Sequence, residues 1–139
     1  MDEKQKDLSR YRITEAEDSL KVAAHCLREE LYKDSINRSY YATFYAVKAV
    51  LALSTVDFKR HKDVMGYFNK EYVAKEIFPR ELGRKLGTLK QLREKSDYDD
   101  FYIASKAQAE EQYNTAKYTL EQVSQYLNKN NTDESKERL

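Results

Sequence analysis

From Asp34 to Leu53 the chain is apolar or aromatic in almost every direction around a helical axis. Ile36, Tyr40, Phe44, Val47 and Leu51 recur at helical spacing, with Asn37, Tyr41, Tyr45 and Lys48 as a neighbouring stripe. A helix with so little polar circumference must be covered on several sides. Ala42, Ala46 and Ala49 lie between the large residues and would let another helix approach closely. This segment therefore predicts the centre of a helical assembly, and the rest of the chain has to supply its cover.

Four other segments can do so. The first runs from Lys4 or Leu8 to Leu31 and repeats Ile13, Ala16, Leu20, Ala23, Ala24, Leu27 and Leu31 at helical spacing. Asp34 is placed to cap the central helix. After "STVDFKR", a shorter helix is expected from His61 to Val73, with Val64, Met65, Phe68 and Tyr72 inward. Pro79 suits the first turn of a fourth helix reaching about Lys95, with Leu82, Leu86, Leu89 and Leu92 inward. Gly83 and Gly87 each lower helix propensity by about 1 kcal/mol relative to Ala; being four residues apart, they permit a close backbone contact on that side. "SKAQ" at Ser105 resembles a capping box. It opens a last helix carrying Ala109, Tyr113, Ala116, Leu120, Val123 and Leu127. The fold class expected is all-α, an up-and-down bundle of four to five helices. It forms one domain over residues 1–128, followed by a disordered polar tail over 129–139.

Composition removes several function classes. With 139 residues, 3 Gly and 1 Pro, the chain can bury a core without disulfides or metals. No run approaches the length of a membrane span, and the N-terminus has no apolar signal core. One cysteine, Cys26, fits a reducing compartment, so a cytoplasmic protein is expected. His25 and His61 are far apart in sequence and no cluster has zinc spacing. There is no Gly-rich phosphate loop, so no cofactor is expected. The net charge of +1 hides an imbalance. Residues 59–95 hold eleven Lys or Arg against five Asp or Glu, a surplus of six positive charges, which suits a polyanion or an ordinary solvated face.

Two groups of residues stand out. Arg38 shares a helix face with Tyr41 and Tyr45, an arrangement that permits a cation–π contact. The tyrosines themselves read first as core and second as a stacking surface for bases. Arg93 continues the Leu82, Leu86 and Leu89 stripe at the position where another apolar residue belongs. A guanidinium directed inward needs a carboxylate or a wet cleft. Asp97, four residues on, can be that carboxylate. Alternatively, the guanidinium faces a groove and is ready for phosphate oxygens.

The run "INRSYYATFYAVKAVLAL", then "DFKRHKDVMGYFNKEYV", then "FPRELGRKLGTLKQLREKSDYDDF" resembles the HEPN family (higher eukaryotes and prokaryotes nucleotide-binding), in particular its small stand-alone prokaryotic branch. The resemblance covers about residues 8–128. It implies an all-α bundle that dimerises, and a toxin–antitoxin-like setting with a minimal nucleotidyltransferase as partner. Active relatives are metal-independent ribonucleases with an arginine, then four to six residues, then a histidine. Arg93 matches that arginine, and Tyr98 stands where the histidine would be. A related arginine-to-tyrosine pattern makes the tyrosine a target of nucleotide transfer.

The substitution changes the chemistry. Tyrosine, with an unperturbed pKa of about 10, is a poor base at neutral pH. Asp97, Asp99 and Asp100 would raise it further. The resemblance and the residues together lead to an expected nucleotide- or RNA-binding module, with Arg93 on phosphate, Tyr98 assisting and Asp97 orienting Arg93. Lys95 and Arg38 are expected as further binding residues. The alternatives are a ribonuclease toxin using Arg93 with Tyr98 or the distant His61, and a purely structural helical dimer.

Overall fold

The computed structural model describes residues 3–54, 56 and 58–138, with side chains up to residue 130. Five α-helices follow one another: α1 (Glu3–Arg28), α2 (Tyr32–Leu51), α3 (His61–Phe68), α4 (Arg80–Tyr98) and α5 (Lys106–Arg138). No strand occurs among the described residues. α3 continues without a break into a single wide turn, Asn69–Val73.

α2 is the hub, packing against α1, α3, α4 and α5. Ile36, Tyr40, Phe44, Val47 and Leu51 are all buried, and so are Ala42, Ala46 and Ala49. The small residues bring α1 close enough for side chains of one helix to reach the backbone of the other. Ser9 donates its hydroxyl to the Ala49 carbonyl at 2.8 Å, and Ser35 donates to the Ala23 carbonyl at 2.9 Å. Arg12 Nη1 donates to the Lys48 carbonyl at 3.0 Å. α4 contributes Leu82, Leu86 and Leu89, α5 contributes Ala109, Ala116 and Val123, and α3 contributes Val64, Met65 and Phe68.

The helix ends follow local rules with some departures from expectation. At Ser105 the capping box closes in both directions: Gln108 N donates to Ser105 Oγ at 3.1 Å, and Ser105 N donates to Gln108 Oε1 at 3.2 Å. Pro79 stands one residue outside α4, as its N-cap, with φ of −59°. Asp34 does not cap α2. The helix begins at Tyr32, so Asp34 falls inside its first turn, where a carboxylate still complements the helix dipole. α1 ends in the left-handed Glu30 (φ 62°), with Leu31 N donating to the Cys26 carbonyl and Glu30 N to the Leu27 carbonyl. This is the paired closure that usually uses glycine. Glu76 (φ 61°) repeats it after Val73. Gly83 meets Val73, since a Cβ there would lie 3.0 Å from Val73 Cγ1, whereas nothing approaches within 4 Å of Gly87. The boundary expected at 129 does not coincide with a helix end, because the backbone of α5 runs to Arg138.

Candidate functional site

Arg93 takes the place on α4 that the stripe assigns to it, one turn beyond Leu89, with its side chain 19% exposed. The guanidinium lies over two rings of α2. Its carbon is 4.9 Å from the centroid of Tyr40 and 5.7 Å from that of Tyr41. Nη2 donates to the Tyr41 hydroxyl at 3.5 Å. Nε lies 2.9 Å from Asp97 Oδ2 as an ion pair, without the alignment of a hydrogen bond, so the N–H has no aligned acceptor. Cation–π contacts of this kind contribute about 0.5–2 kcal/mol each. Together they hold a charge that would otherwise be costly on a leucine position.

The third side of the site comes from α3. His61, its first residue, stacks on Phe44 with ring centroids 3.9 Å apart and 28° between the planes. It meets Tyr41 edge-on at 5.9 Å. Its Nδ1 is 3.4 Å from the Tyr40 hydroxyl. Lys48 Nζ lies 5.5 Å from the Phe44 centroid. Burial, then the charges of Arg93 and Lys48, push the His61 pKa below its ordinary 6.5. Burial raises the Tyr40 phenol above its ordinary value, although Arg93 opposes the shift. At neutral pH the histidine is therefore an uncharged imidazole beside a protonated phenol. With Nδ1–H donating to Tyr40, Nε2 keeps a free lone pair. With Tyr40 donating to Nδ1, Nε2 carries the proton instead.

Three basic side chains from three helices, Arg93, His61 and Lys48, thus share an aromatic floor of Tyr40, Tyr41 and Phe44. Asp97 is the carboxylate ion-paired with Arg93. Such a cluster can accept an anion, with the guanidinium offering directed N–H groups.

The other residues expected at the site separate into distinct places. Tyr98 is 79% exposed and lines a shallow cavity with Gln91, Glu94, Lys95 and Asp99. Five residues of helix turn it well away from Arg93, so one chain does not assemble an Arg93–Tyr98 pair. Lys95 stays with Tyr98. Arg38 lines another cavity between α1 and α2, with Tyr41 and Tyr45. Asp99 has a local role, accepting a hydrogen bond from Phe101 N at 3.0 Å. Spacing along the chain does not reveal the approach of His61 to Arg93, because the two stand on separate helices that both pack onto α2.

Comparisons agree with this architecture. The family model described as "HEPN domain" matches residues 9–129. A Methanocaldococcus jannaschii protein named "Putative toxin MJ0142" is 30% identical over 115 residues, covering 83% of this chain and 78% of that one. A Thermotoga maritima protein named "UPF0332 protein" is 33% identical over 100 residues, covering 72% of this chain and 75% of that one. Another Methanocaldococcus jannaschii protein, "Putative toxin MJ0605", is 32% identical over 83 residues, covering 60% and 62%. With a five-helix bundle centred on an aromatic α2 and a family match that spans nearly the whole bundle, the chain belongs to the HEPN family.

Proposed function

We propose that this chain is a toxin-like HEPN module that binds the phosphate of RNA or of a nucleotide at Arg93. The observation that carries this reading is the placement of the guanidinium. It is four-fifths covered, lies on two tyrosine faces, and keeps its Nε–H without an acceptor beside His61 and Lys48. A structural ion pair alone would not need a lysine and a neutral imidazole gathered at the same spot. Asp97 orients the guanidinium. The toxin setting draws on relatives named as toxins; a homodimer and a minimal nucleotidyltransferase partner are part of the same proposal. Tyr98, exposed at the end of α4, is open to nucleotide transfer by that partner. Co-expression with the nucleotidyltransferase and intact-mass measurement test this. A mass increase lost in Tyr98→Phe supports modification at that hydroxyl, and an unchanged mass removes it.

The binding test uses a labelled single-stranded RNA. Arg93→Met should weaken binding while leaving the fold intact, and added salt should weaken wild-type binding steeply. Salt-insensitive binding, or equal binding by the variant, would contradict the proposal.

One observation favours a second reading, a metal-independent endoribonuclease: the convergence of His61 and Arg93 on the Tyr40 ring. An imidazole with a free Nε2 lone pair can take the proton of a 2′-hydroxyl. The 2′-oxygen then attacks phosphorus and the P–O5′ bond breaks. The proton returns from the imidazolium to the departing 5′-oxygen. The products are a 2′,3′-cyclic phosphate and a 5′-hydroxyl, with Arg93 stabilising the charge that develops on phosphate. RNA cleavage in EDTA, abolished by His61→Ala and by Arg93→Ala but not by Tyr98→Phe, supports this reading. Intact RNA under those conditions leaves the binding module.

A further inference from the structure

The tyrosine whose hydroxyl touches Arg93 also borders a second feature. Between α1 and α2 lies a cavity of about 430 Å³, to which Glu15, Asp18, Asn37, Arg38, Tyr41 and Tyr45 contribute. That volume falls within the range of about 300–1,000 Å³ typical of small-molecule sites. Among the described residues, Glu15, Asp18, Asn37 and Arg38 make no side-chain hydrogen bond or ion pair. Carboxylates and a guanidinium thus line one hollow without joining, beside two tyrosine rings whose centroids are 6.2 Å apart.

We infer that this cavity holds a guanine base, the base of the nucleotide or RNA residue whose phosphate lies at Arg93. The inference rests on the phosphate reading for its second half only. The chemistry of the edges selects guanine. An ionised carboxylate only accepts hydrogen bonds. Guanine places two donors side by side, N1–H and the N2 amino group, so one carboxylate can accept from both. Adenine and cytosine each put an acceptor nitrogen next to their amino group, and uracil flanks its N3–H with two carbonyl oxygens. All three would turn a lone pair toward Glu15 or Asp18. Guanine also offers O6 and N7 as acceptors, which suit the guanidinium of Arg38 or the amide of Asn37. Tyr41 and Tyr45 provide faces for stacking. Tyr41 links the two halves, since it lines the cavity and its hydroxyl is 3.5 Å from Arg93 Nη2.

The experiment compares 5′-GMP, 5′-IMP, 5′-AMP, 5′-CMP, 5′-UMP and guanosine by calorimetric titration of the full chain. GMP is expected to bind about tenfold or more tightly than AMP, CMP and UMP, with IMP, which lacks the N2 amino group, in between. Combining Asp18→Asn with Glu15→Gln should erase that preference and leave AMP affinity unchanged. Arg93→Met should weaken all five nucleotides alike and leave guanosine unaffected. Equal affinity for the nucleotides, or a GMP preference that survives loss of both carboxylates, overturns the guanine site. If nucleotides bind through Arg93 without preference for a base, the phosphate reading stands and this one falls. If guanosine binds through the carboxylates and Arg93 contributes nothing, the reverse holds. If no ligand binds, both fall.

Discussion

At the scale of single residues, Arg93 is the position where sequence and structure speak most directly to each other. A guanidinium on a leucine stripe is legible from the periodicity of α4, and Asp97 supplies the carboxylate that four-residue spacing suggests. The rings beneath Arg93 and the approach of His61 were not legible, because they depend on how α3 and α4 fold back onto α2. Arg93→Lys keeps the charge but loses the planar stack and the directed N–H groups. It should weaken RNA binding several-fold, while urea unfolding changes by no more than about 1 kcal/mol. His61 gives a pH test. Its pKa in the folded chain lies below the ordinary 6.5, so the unfolded state binds the proton more readily. Its contribution is complete above about pH 6.5 and is lost as pH falls toward the folded value. Wild-type stability should drop between pH 7.5 and 5.5 more steeply than that of His61→Phe, as read by urea midpoints. Parallel curves would show that the histidine is not held neutral. The two glycines of α4 make a further contrast. Gly87→Ala fills open space and should stabilise by about 0.5–1 kcal/mol. Gly83→Ala sets its methyl group against Val73 and should lose that gain.

At the scale of elements, the interiors of the helices were legible and their ends less so. The apolar stripes of α2 and α4 run through the buried residues named from the sequence, because a 3.6-residue period leaves few alternatives, whereas on α5 Ala109, Ala116 and Val123 are buried but Gln112, Thr115 and Thr119, not Tyr113, fill the rest of the buried face. Termini depend on weaker signals. The Ser105–Gln108 box carries its own sequence pattern, and both of its hydrogen bonds form. Aspartate favours the cap position, yet α2 begins at Tyr32 with Leu31 at the cap and Asp34 inside the first turn. The end of α1 at Arg28 is hidden, since Glu30 does there what a glycine would announce. That position yields a stability test. A glutamate at φ 62° carries the left-handed penalty of about 1–2 kcal/mol. Glu30→Gly should therefore raise the unfolding midpoint in urea, by about 1 kcal/mol in free energy. Ser105→Ala should cost about 1 kcal/mol through loss of the cap.

At the scale of the whole molecule, one aromatic helix explains both the fold and the site. α2 is buried on nearly all sides by the helices that pack around it. Where α3 and α4 each pack onto it, the cover is made of His61 and Arg93 rather than leucine, so the core is continued by a basic patch. The bundle and its family were readable in the order and spacing of the aromatic and leucine stripes. The assembly of the patch was not, because it joins residues from separate helices. No described helix is long and apolar enough to cross a membrane. The surplus of positive charge in residues 59–95 gives the same region a long-range attraction for polyanions. The most direct measurement is the affinity of wild-type and Arg93→Met chains for a labelled single-stranded RNA across a salt series, with thermal unfolding recorded alongside. The phosphate role of Arg93 requires about a tenfold loss of affinity and a salt slope shallower by about one unit, with the unfolding midpoint nearly unchanged. Identical affinity and slope in the two proteins would show that the guanidinium serves the bundle alone.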